Sequence, residues 1–202
     1  MRRAGVFLLS AASIAFAALR MGGQSAPALQ LDESGHVEVS GRSTPFLIRH
    51  LPVSSFPQLP AAVQSVLSQR GCVIPQTYEA HAPENVVAAS LARRGSADWA
   101  VLCSEHGMVS LLVFFAGGAA QPTVLASAPE TERLSVHGAD GVLGFDWGID
   151  VASPAQVHEA QSEMKRRPPL LDHDALADSR IEQTTVYHYF SVNEWTVVRT
   201  QE

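Results

Sequence analysis

A chain of 202 residues with 14 basic and 20 acidic side chains has a formal charge of −6. That balance leaves no electrostatic footprint for nucleic acid or an anionic membrane surface. The length suits one domain with a substantial core.

The first 25 residues have the layout of a secretory signal peptide. Met1-Arg2-Arg3 opens positively, an apolar run covers residues 4–19, and the small-residue stretch Gly22-Gly23-Gln24-Ser25-Ala26-Pro27-Ala28 follows. Cleavage fits after Ser25, at Ala26-Pro27-Ala28 or at Ala15-Phe16-Ala17. The alternatives are an uncleaved anchor, in which case the chain touches a membrane, and a chain that stays in the cytoplasm. The run is shorter than the roughly 20 residues a spanning helix needs. No cysteine follows it, which argues against a lipoprotein. Removing residues 1–25 takes away Arg2, Arg3 and Arg20 and no acid, so the mature charge is 11 − 20 = −9. The expected location is therefore periplasmic or secreted.

Export changes how Cys72 and Cys103, the two cysteines, are read. In an oxidising compartment a pair predicts one disulfide. Two buried free thiols are the alternative. Neither cysteine belongs to a C-x-x-C pair, so redox chemistry and metal binding through them are disfavoured.

In chain order, residues 26–58 read as an extended lead-in with an edge strand over 37–48, interrupted by Gly41 and Pro45. A single α+β domain over 59–202 follows. Pro60, the apolar face of Val63, Val66 and Leu67, and the stop at Gly71 predict a helix. Strands are expected over 85–91, 99–103, 109–115 and 123–128, with turns at 93–98 and 105–107. The third of these is apolar on both faces and so central. Residues 116–120 form a linker, and 136–149 hold short strands around Gly138 and Gly141. Ser153-Pro154-Ala155-Gln156 carries a capping box and opens a surface helix running to about Arg166. A hairpin over 184–200, turning at Val192-Asn193-Glu194, closes the chain. The fold class is α+β, mainly antiparallel, with two helices, about seven strands and one disulfide.

No phosphate loop, dinucleotide fingerprint, zinc-type histidine spacing or nucleophile elbow is present, and no metal or cofactor is expected. Asp172-His173-Asp174 is the strongest cluster for a metal or catalytic role. Adjacent side chains point apart, however, and either aspartate suits a helix N-cap before Ala175-Leu176-Ala177. Asp140, Asp146 and Asp150 depart from the calcium-loop spacing and read as turn caps. Ser96, in Arg94-Gly95-Ser96-Ala97-Asp98, reads as part of a turn. Glu79, Glu84 and Glu105 are candidates for a carboxylate pair. Tyr187 and Tyr189 share one face of the C-terminal strand and, with Trp195, are the candidate binding residues, against the alternative of core packing.

Three stretches, Gly71-Cys72-Val73-Ile74-Pro75-Gln76, Asn85-Val86-Val87 and Asp98-Trp99-Ala100-Val101-Leu102-Cys103-Ser104, resemble a group of exported bacterial proteins of unknown function. The closing Val186-Tyr187-His188-Tyr189-Phe190 and Glu194-Trp195 are similar to their last hairpin. The likeness runs from about Leu59 to Arg199 and implies no activity. The turn-and-strand element ending in Asp98-Trp99-Ala100-Val101-Leu102 also resembles one blade of an FG-GAP repeat, without its aspartate-rich calcium loop or its multiple copies. The sequence thus predicts a non-enzymatic exported domain binding a protein, glycan or envelope component. The alternatives are an envelope hydrolase with a site assembled from Asp172, His173 or Asp174, and a periplasmic inhibitor of a lytic enzyme.

Overall fold

The computed structural model describes residues 31–117, 121–162 and 164–199. The signal peptide expected over residues 1–25 lies outside the described residues, as do the start of the lead-in and part of the 116–120 linker.

Four layers build the fold: a helix, two β-sheets packed face to face, and a second helix. The first sheet begins with a hairpin, β1 (Glu33–Val39) and β2 (Arg42–Pro52). Its turn, Ser40-Gly41, has both φ values positive, at 50° and 74°, a geometry that matches the strand twist. Helix α1 (Ala61–Gln69) follows, and Gly71 at φ 73° ends it. Then come β3 (Val73–Gln76), β4 (Val86–Ala89), β5 (Asp98–Glu105), β6 (Met108–Phe114), β7 (Thr123–Pro129), β8 (Leu134–His137) and β9 (Val142–Phe145). The strand order is β7-β6-β5-β3-β2-β9-β8, with β1 also paired to β2 and β4 to β5. All pairs are antiparallel except β2 with β9. The second sheet is β10 (Trp147–Ala152), β11 (Ala175–Arg180), β12 (Thr185–Ser191) and β13 (Glu194–Arg199), in that order.

Alternation along the strands assigns the faces. Leu102, Leu111 and Val113 face the second sheet and pack with Trp147, Ile149 and Leu176. Val101, Cys103, Leu112 and Phe114 point the other way, onto Val63 and Leu67 of α1. On the outer face of the second sheet, Val157 of α2 (Pro154–Ala160) covers Ala152, Ala175, Tyr189 and Val198.

The α+β class, the two helices and the Cys72–Cys103 disulfide are all present among the described residues. The bridge joins the exit of α1 to the interior strand β5. No described helix is long and apolar enough to cross a membrane. Several details differ from expectation. The described residues hold thirteen strands, not seven, because short strands meet β2 and β5 end to end along one edge. The lead-in supplies β1 and β2, and β2 lies inside the sheet. Helix α2 has its capping box but stops at Ala160, since the following residues offer no further apolar anchor. Ala175-Leu176-Ala177 begins a strand and not a helix, because Leu176 is needed in the inter-sheet core and its neighbours face outward.

Candidate functional site

The loop between β12 and β13 is Val192-Asn193, both at positive φ, 53° and 63°, a two-residue hairpin turn. Its register puts Tyr189 opposite Thr196 and Ser191 opposite Glu194, so these four side chains share the outer face of the second sheet. The chain returning from α2 crosses that face as Pro168-Pro169-Leu170-Leu171-Asp172-His173. The paired prolines hold the segment extended. Between this strap and the hairpin opens a groove of about 420 Å³.

His173 fastens the strap. Its Nε2 lies 2.7 Å from the Phe190 carbonyl and its Nδ1 lies 2.7 Å from Asp172 Oδ1. A carbonyl can only accept, so Nε2 carries a hydrogen and donates it. Neither ring nitrogen is left to serve a substrate. The hydrogen bond between His173 Nδ1 and Asp172 holds the Asp172 carboxyl below its usual value, with smaller contributions from the charges of His173 and Arg94. Asp174 turns away: its Oδ2 accepts from the Ser90 backbone N–H at 2.9 Å. The three residues of the Asp172-His173-Asp174 cluster therefore do not converge on one ion.

The groove is lined by both exposed apolar and acidic side chains. Leu170 and Val192 are 59% and 92% exposed, while Asp172 and Glu194 supply the charge and Ser191 and Thr196 line the wall. Tyr189 borders the cavity with only 6% of its surface exposed. Of the three aromatic candidates, Tyr189 is thus at the groove, and Tyr187 packs beside α2. Trp195 points to the opposite face, its ring centroid 5.9 Å from Phe115 and 5.4 Å from Phe190. Tyr189 is buried, and Tyr187 and Trp195 are half-buried.

The remaining candidates are structural. Asp146 is fully buried and holds Arg180 through Oδ2 at 2.7 Å. Exposed Asp150 accepts from its neighbour Val151, and exposed Asp140 sits in the β8–β9 turn, so no calcium loop forms from these three. Ser96 keeps its hydroxyl within the turn, donating to Asp98 and accepting from the Arg93 N–H at 3.4 Å. Glu84 caps the Thr77 N–H at 2.7 Å and Glu105 pairs with Arg70, so they do not face each other.

One cluster went unseen in the sequence. Ligand-type atoms of Glu33, His50 and Glu130 lie within 4.8 Å of one another. No local spacing signals it, because its members stand 17 and 80 positions apart. No known protein family, curated protein or solved structure matches the chain.

Proposed function

We propose that the chain is an exported, non-enzymatic binding module that takes a segment of a partner protein into the groove beneath the 168–173 strap. The groove itself carries this reading: exposed apolar side chains, Leu170 and Val192, together with the carboxylates of Asp172 and Glu194. Such a site fits an apolar side chain next to a lysine or arginine. Free backbone groups of edge strand β13 stand beside it for an extended segment to pair with. A glycan is the weaker occupant, because sugars are commonly held by stacking on exposed rings and these aromatics are buried or half-buried. The hydrolase reading is weakened by His173, whose ring nitrogens are both committed. The disulfide fits an oxidising compartment outside the cytoplasm.

A displayed library of random peptides, selected against the mature protein, tests the proposal. Selected peptides should share an apolar–basic pair and lose affinity by roughly tenfold or more on Val192→Glu or on the double change Asp172→Asn/Glu194→Gln. Turnover of an ester or glycan panel, or selected peptides indifferent to all of these changes, overturns it.

A further inference from the structure

Away from the groove, three side chains from separate parts of the chain meet beside β2. Glu33 opens β1, His50 lies on β2, and Glu130 starts the short 3-10 turn after β7. The register brings them together. Glu33 pairs with Ile48, so its side chain lies diagonal to His50 on the same face. The Glu130 N–H donates to the Gly107 carbonyl at 2.9 Å, which seats its carboxylate against His50.

Two features exceed what an ordinary buried ion pair needs. First, His50 Nδ1 lies 2.9 Å from the Leu31 carbonyl and must donate to it, which aims Nε2 at Glu130 Oε1, 2.8 Å away. Metal-binding imidazoles are oriented in this way, the far nitrogen donating to a carbonyl while the near one faces the ion. Second, Glu130 is 2% exposed and its buried Oε2 makes no hydrogen bond of regular geometry, with Ser104 and Glu33 only in looser contact with the carboxylate. Native interiors seldom leave such an oxygen unmatched, at a cost of about 1–3 kcal/mol. Glu33 adds a second carboxylate on the solvent side, where burial and then the charge of Glu130 push its carboxyl up. Burial opposes the charge on both other partners. On Glu130 that is outweighed by hydrogen bonds from His50 and Ser104, and on His50 by the bond and charge of Glu130.

We infer that Glu33, His50 and Glu130 form a binding site for a divalent transition-metal cation of the zinc class, clamping the start of β1 to the β7–β8 turn. One imidazole nitrogen and two carboxylate oxygens suit zinc, whereas calcium and magnesium favour all-oxygen sets. The charges also balance. A neutral histidine and two ionised carboxylates sum to −2, a charge that a divalent ion would cancel. Binding exchanges the proton on Nε2 for the metal. The exposed position of Glu33 gives the ion a way in from solvent.

Calorimetric titration of chelator-treated, dialysed protein with zinc chloride, in two buffers of different ionisation enthalpy, tests the inference. One equivalent should bind with release of about one proton. Glu33→Gln, an exposed and structurally mild change, should weaken binding by more than about tenfold, since even outer-shell partners are worth about 10–100-fold. His81→Gln, an exposed histidine elsewhere, should leave it unchanged. Cobalt in place of zinc should give a visible d–d absorption that disappears in Glu33→Gln. Absence of binding, binding that survives Glu33→Gln, or binding that falls in His81→Gln overturns the site. Because this cluster is remote from the groove, its failure leaves the peptide-binding proposal untouched.

Discussion

Asp98 holds the turn before β5 together, and replacing it should cost more than any other single change near that turn. Its carboxylate is 1% exposed. It accepts from the backbone N–H groups of Leu91 at 2.9 Å, Ala92 at 2.8 Å and Ala116 at 2.7 Å, and from the Ser96 hydroxyl. These donors come from both ends of the β5–β6 hairpin, so one side chain ties the 91–98 turn to the segment after β6. Hydrogen bonds to an ionised acceptor contribute about 1.5–3 kcal/mol each, and a buried donor left unpaired costs about 1–3 kcal/mol. Asp98→Ala orphans three backbone donors at once. Releasing a buried carboxylate from its desolvation penalty offsets part of that, leaving a net loss of about 3–5 kcal/mol. Asp98→Asn should do little better, because its amide nitrogen turns a donor toward donors. Urea unfolding followed by tryptophan fluorescence reads the loss. With a slope near 2 kcal/mol/M, the midpoint should fall by about 1.5–2.5 M. The exposed Asp140→Ala change should alter stability by less than about 0.5 kcal/mol, a midpoint shift under about 0.25 M. A loss below about 1 kcal/mol for Asp98→Ala would refute the reasoning, since the turn would then be held by its backbone alone.

Two further outcomes are expected. Replacing Cys72 and Cys103 by serine opens a loop spanning a sequence separation of 31 and should lower stability by about 3–4 kcal/mol in the chain-entropy model; an equal urea midpoint with and without the bridge counts against it. Asp172, its carboxyl lowered first by the His173 hydrogen bond and then by the charges of His173 and Arg94, contributes stability above the unfolded value of 3.8 that is lost as pH falls through the lowered folded value. A carbon-13 titration of the carboxyl should therefore give a midpoint below 3.8 that returns toward it in His173→Gln; an unmoved midpoint would remove the strap contact.

What was readable in the sequence was local. Pro60 and Gly71 bracket α1, Ser153 and Gln156 form their capping box, and Val192-Asn193 makes the last turn, because each depends on neighbours a few residues apart. The disulfide followed from a count and a compartment. Residues 172–174 were misjudged for the opposite reason. Propensity favours a helix start before Ala175-Leu176-Ala177, but the core between the sheets claims Leu176 and draws the segment into β11. Tyr187 and Tyr189 were chosen by strand alternation and Trp195 as a neighbouring aromatic; alternation assigns faces correctly but cannot say what lies over a face. The answer was α2 and the strap on one side and Phe115 on the other. The Glu33, His50 and Glu130 cluster had no local signature at all, since it exists only once β1 pairs with β2 and the β7–β8 turn folds back.

The polar residues sealed between the sheets explain why the groove can be a fixed shape and not a transient opening. Asn85 sits at φ 67°. Its side chain donates to the Pro75 and Trp147 carbonyls at 2.8 and 3.2 Å and accepts from the Ile149 N–H at 3.0 Å, so it bolts β10 of the second sheet to the end of β3. Asp178 takes the Trp147 indole N–H at 2.6 Å and stands 3.0 Å from His188 Nε2, locking β10, β11 and β12 in one register. Apolar contacts between the sheets, aliphatic and aromatic alike, are weakly directional and tolerate small shifts. Directional bonds in a dry seam do not, since any shift orphans several buried groups together. The groove is built on β12, β13 and the strap pinned to Phe190. Its geometry is therefore inherited from this seam, and a ligand meets a surface already set.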